Sequence, residues 1–81
     1  MKAVLFLRGR TDAPEGVRYR LAFVPAGQRE PAVLYDNHHP KGHHKHVDGA
    51  ESPYEFTSIL NLQIDFAEET ARWKKRQRGS P

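Results

Sequence analysis

Along Val17–Val24 (VRYRLAFV), apolar Val17, Tyr19, Leu21 and Phe23 alternate with a polar side that includes Arg18 and Arg20. That period of two predicts a strand with one face buried and the other in water. Lys2–Arg8 (KAVLFLR) predicts a strand that is apolar on both faces. Ala32–His39 (AVLYDNHH) and His43–Val47 (HHKHV) predict two more. Arg10–Gly16 and Pro25–Pro31 are rich in turn-forming Asp, Pro and Gly. The stretch HPKG (His39–Gly42) suits a tight hairpin, with Pro40 fixing φ and Gly42 free to turn left-handed. After Asp48–Pro53 (DGAESP) the period changes. Thr57–Lys75 (TSILNLQIDFAEETARWKK) has neither Pro nor Gly and predicts a helix, with Thr57 or Ser58 as N-cap. Its apolar residues form two stripes, Ile59, Leu62, Phe66 and Trp73 in one, Leu60, Ile64, Ala67 and Ala71 in the other. Two readings are open for so wide a sector: a helix nested in a curved sheet, or a surface for a partner chain. The expected fold is α+β, an antiparallel sheet of three to four strands with one C-terminal helix on one face. One domain spans residues 1–76, and 77–81 form a basic flexible tail.

Charge matching suggests how the strands pair. Setting Phe23 opposite Val33 brings Leu21 to Tyr35 and Arg20 to Asp36. Setting Asp36 opposite Lys45 brings His38 to His43 and Tyr35 to His46. In that register Arg18, Arg20, Asp36, His38, His43 and Lys45 share the polar face, and His44 and His46 lie on the helix side. A slip of one residue would exchange the two sets on the shifted strand.

Eighty-one residues bury only a modest core, and without cysteine the chain has neither disulfides nor thiolate zinc sites to staple it. No apolar run is long enough to span a membrane. The N-terminal MKAVLFLRGR reads as a strand rather than a signal peptide, so a cytoplasmic protein is expected. The net charge of +3 comes mostly from Arg72–Pro81, which holds five basic residues and no acidic one. That segment leaves 8 basic and 10 acidic residues of the 13 and 10 in the whole chain. Lys74, Lys75 and Arg76 can attract nucleic acid through charge alone, or serve only as a solvated helix end.

All five histidines fall within YDNHHPKGHHKH (Tyr35–His46). His44 and His46 form an H-x-H pair that could chelate a divalent metal, with His39 or Asn37 as third ligand. Against that stand the absence of Cys, of H-E-x-x-H and of a carboxylate triad beside the pair, so no metal and no cofactor is assigned. Arg18, Arg20, Asp36, His38, His43 and Lys45 suggest other chemistry. Imidazoles carry protons near neutrality, and Arg and Lys hold phosphate oxygens. Those parts suffice for metal-free cleavage of RNA by its own 2′-hydroxyl.

Tyr35, Asp36, Asn37, Lys41, Gly42, His44, His46, Pro53, Tyr54, Phe56, Asp65 and Phe66, within a region from Tyr19 to Phe66, resemble the TumE family of small toxins. Only GRTDAPEG separates the first strand from the YR strand, where many relatives are longer. The resemblance implies a toxin paired with a helix-turn-helix antitoxin, and the wide apolar sector of the helix with the short sheet predicts a homodimer or a complex with that antitoxin. It also adds His44 and His46 to His38 and His43 as candidate catalytic residues. Asp36 and Asn37 would orient them, and Arg18, Arg20, Lys41 and Lys45 would hold RNA. A non-enzymatic interaction module and a histidine-ligated metal protein are the alternatives.

Overall fold

The computed structural model describes residues 2–9, 17–37 and 42–79. Five strands and one helix follow in chain order: β1 (Lys2–Gly9), β2 (Val17–Val24), β3 (Val33–Asp36), β4 (His44–Val47), β5 (Ala50–Pro53) and α1 (Ile59–Gly79). The strands make one antiparallel sheet in the order β1-β2-β3-β4-β5. The α+β class and the C-terminal helix across one face are as expected. The sheet has one strand more than expected. Its fifth member comes from DGAESP, where Asp48 (φ 50°) and Gly49 (φ 84°) make a two-residue turn that pairs Val47 with Ala50. Both φ values are positive, as a type I′ hairpin demands. Ala-Glu-Ser-Pro shows no apolar alternation because β5 is a short edge strand with a mostly exposed surface, and an edge tolerates Pro53.

The register of β2 on β3 is the expected one, with Arg20 opposite Asp36, Leu21 opposite Tyr35 and Phe23 opposite Val33. The next pairing differs by one residue: Tyr35 faces Lys45, Asp36 faces His44 and Val33 faces Val47. The expected register would have set Asp48 against Val33 on the core face and turned Val47 outward. The observed one puts an apolar residue there instead, and burial of the sheet's inner face decides between them. His43 and Lys45 therefore lie on the helix side, and His44 and His46 on the outer face. This reverses the expected division.

The core consists of Tyr19, Leu21, Phe23, Ala32, Val33 and Tyr35 from the sheet side, closed by Leu62 of α1, which is 0% exposed. Phe66 meets Tyr35 edge-on at 5.7 Å and Trp73 meets Phe23 edge-on at 5.5 Å. Ser58 caps the helix, its Oγ accepting the Asn61 N–H at 3.0 Å, while Thr57 Oγ1 takes the Asn61 side chain at 3.0 Å. Only the first apolar stripe is covered. Leu60 is 65% and Ile64 44% exposed, and Ala67 and Ala71 are also exposed, so the sheet does not wrap the helix. The helix continues through Gln77 and Arg78 to Gly79, into the stretch expected to be a flexible tail; no Pro or Gly interrupts it before that point. Among the described residues, no helix is long and apolar enough to cross a membrane.

Candidate functional site

On the outer face, register brings Arg20, Asp36 and His44 together from three adjacent strands. His44 Nε2 is 2.9 Å from Asp36 Oδ1, and Arg20 Nη1 is 3.8 Å from Oδ2 of the same carboxylate. His44 Nδ1 donates to the Gly42 carbonyl at 2.9 Å, which fixes the ring's orientation. Asp36 and His44 are buried, while the Arg20 side chain is 54% exposed and can reach a ligand. His46 stands beside His44 with ring centroids 5.1 Å apart, and its Nε2 is 3.9 Å from Glu51 Oε1, too far for a hydrogen bond.

On the helix side, His43 is held by three aromatic contacts. Its Nδ1 lies 2.8 Å from the Tyr19 hydroxyl, and its ring stacks on Phe56 at 4.8 Å and on Tyr19 at 5.6 Å. Tyr19 is itself fixed by its backbone N–H, which donates to Asn37 Oδ1 at 2.9 Å. Asn37 thus acts on His43 through Tyr19. His43 and His44 come from opposite faces yet both line a shallow cleft of about 270 Å³ with Glu51, Ser52 and Pro53.

Lys45 does not join the outer face. Its Nζ is 3.3 Å from Glu69 Oε1, which also takes Arg72 Nη2 at 3.3 Å, and it stands 5.8 Å over the Tyr35 ring. Burial alone would raise the Glu69 carboxyl, but hydrogen bonds from Lys45 and Arg72 hold it below the usual carboxylate range. Tyr35 is pushed up to about 12, first by burial and then by Glu69 and Asp65. Tyr54 is raised as well, by burial and by its hydrogen bond to Asp65 at 2.6 Å. A Lys45 occupied in this way holds helix to sheet, and its expected role as a phosphate holder is not what the geometry supports. Lys74 lies 5.2 Å over the Phe23 ring, and Lys75 and Arg76 are exposed along the helix. Arg18 is half-buried, next to Tyr19 in β2. His38, His39 and Lys41 lie outside the described residues.

Sequence reasoning missed Tyr19 as the anchor of His43 and Glu51 as the neighbour of His46. The second was within reach: Asp-Gly as a two-residue turn pairs His46 with Glu51 directly.

The family model described as Toxin TumE matches residues 2–74. No curated protein and no solved structure matches the chain.

Proposed function

The chain belongs to the TumE family of toxins, and from that premise we propose that it binds RNA across the outer face of its sheet and into the cleft that His43 and His44 share, and cleaves it without a catalytic metal. Arg20, helped by Arg18, holds the phosphate. His43, its Nδ1–H held by the Tyr19 hydroxyl, takes the proton of the attacking 2′-hydroxyl on Nε2. The 2′-oxygen bonds to phosphorus as the P–O5′ bond breaks, leaving a 2′,3′-cyclic phosphate and a 5′-oxygen that takes a proton from water. The Asp36–His44 pair fixes the floor of the cleft on which the phosphate rests. The observation that carries this reading is the shared cleft: a positioned imidazole stands next to a carboxylate–imidazole pair that an exposed arginine reaches. The basic end of α1, with Lys74, Lys75 and Arg76, adds sequence-independent attraction.

The test uses metal-stripped protein with EDTA present. RNA should be cut, and DNA of the same sequence should be bound but left whole. His43→Ala should lower the rate by about 10²–10⁴-fold with little loss of binding. Arg20→Ala should weaken both, since a phosphate contact acts in the ground state and the transition state alike. If wild-type protein cuts no RNA with or without added metal, the ribonuclease reading fails, and an interaction module takes its place.

As a toxin, the protein implies an antitoxin partner. We propose that a helix-turn-helix antitoxin covers the exposed Leu60 and Ile64. Leu60→Asp with Ile64→Asp should then abolish co-purification with the antitoxin while leaving the melting temperature of the free protein unchanged. Sedimentation of the wild type tests the competing occupant, a second copy of the chain.

A further inference from the structure

We propose that His44, His46 and Glu51 form a binding site for a divalent cation of the zinc class. The two histidines stand two apart on β4 and share the outer face, and β5 sets Glu51 directly opposite His46. One ligand atom from each residue lies within 4.8 Å of the other two. A tetrahedral zinc ion needs its ligand atoms about 3.3 Å apart, given metal–ligand distances of about 2.0–2.1 Å. The gap of 3.9 Å between His46 Nε2 and Glu51 Oε1 is close to that span and is no hydrogen bond, so a cation between them makes contacts that the pair alone does not. The Glu51 side chain is 40% exposed.

The surroundings fit a ligating imidazole. Nδ1 of His44 donates to the Gly42 carbonyl, and a backbone carbonyl on the far ring nitrogen is the usual support of a ligating histidine; a metal would therefore bind at Nε2, in place of the Asp36 contact there. A cation on Nε2 requires the Asp36 carboxylate to turn aside from that nitrogen, where it remains a nearby negative charge. The third ligand is Glu51, a carboxylate across the hairpin, and not Asn37, whose oxygen is taken by the Tyr19 N–H. Two imidazoles and a carboxylate suit Zn²⁺, and the fourth position of such a set remains open to solvent. The cation would join β4 to the edge strand β5, supplying the cross-link that a cysteine-free chain otherwise lacks. This inference does not rest on RNA cleavage, since it is read with protein and metal alone.

The experiment takes untagged, EDTA-dialysed protein and titrates Zn²⁺, following heat of binding and melting temperature. Co²⁺ serves as a spectroscopic probe through its visible absorption. Zn²⁺ in hundredfold excess over Kd should raise the melting temperature on the order of 10 °C. Bound Co²⁺ should absorb with the intensity of low coordination. His46→Ala and Glu51→Gln should each weaken binding by about 10–100-fold or more. Glu51 is exposed, so Glu51→Gln should keep the fold, checked by its metal-free melting temperature. His39→Ala should bind zinc as the wild type does. Absence of saturable binding, binding unchanged in Glu51→Gln, or binding lost in His39→Ala would each overturn the site.

Discussion

Among the described residues, Asp36 meets Arg20 and His44 with unequal weight. Arg20 is exposed and 3.8 Å away, an arrangement that adds well under about 1 kcal/mol to stability. His44 is buried and 2.9 Å away. Asp36→Ala should therefore cost about 1–3 kcal/mol in a denaturant titration, because it strands a buried imidazole nitrogen. Arg20→Ala should leave the midpoint nearly unmoved. An arginine that contributes little to folding yet reaches over a buried carboxylate is a better candidate for ligand binding than for architecture. Tyr19 gives the complementary case. Its ring belongs to the core, and its hydroxyl meets the edge of the cleft through His43. Tyr19→Phe should keep the melting temperature within a few degrees while slowing RNA cleavage, and a cleavage rate equal to the wild type would remove His43's anchor from the mechanism.

At the level of elements, the pairing of β3 with β4 shows what the sequence could and could not reveal. The period of two in β2 was legible because one face is uniformly apolar, and the pairing with β3 followed from it. β4 reads HKHV, with one apolar residue in four, so charge complementarity was the remaining guide. It favoured Asp36 with Lys45. Lys45 instead finds its carboxylate on α1, at Glu69, a partner 24 residues away that no strand pattern announces. The helix itself was plain from its period and its cap, but which apolar stripe would be covered depended on the sheet's curvature. Leu62→Ala should destabilise by about 2–5 kcal/mol, whereas Leu60→Ala should shift stability by no more than about 0.5 kcal/mol. Glu69 ties the two elements and gives a pH signature. Its carboxyl lies below its ordinary value in the folded protein, so its stabilisation is full above the unfolded value and is lost as pH falls through the folded one. Melting curves between neutral pH and about pH 3 should show this loss, and Glu69→Gln should flatten it.

The whole molecule is a sheet that meanders and a helix that follows it. Charge is concentrated at one end, where Lys74, Lys75, Arg76 and Arg78 run along the last turns of α1. Truncation after Trp73 should lower RNA affinity and reduce its salt dependence, measured as the slope of log affinity against log salt. The core should survive, since Trp73 and its contact with Phe23 remain. The α+β outline was legible from the change of period after Pro53. The site was legible only as a list of residue types, because its geometry depends on registers that a single residue can reverse. The order of the sheet has a further consequence during synthesis. Each strand pairs with the one just before it, so the sheet can assemble as the chain leaves the ribosome. Its cover, however, is the final element. Until α1 emerges, Tyr19, Leu21, Phe23, Val33 and Tyr35 present a continuous apolar surface to solvent or to a chaperone. A chain halted after Pro53 should therefore be sticky rather than merely incomplete, binding hydrophobic dyes and holdases that the finished protein ignores.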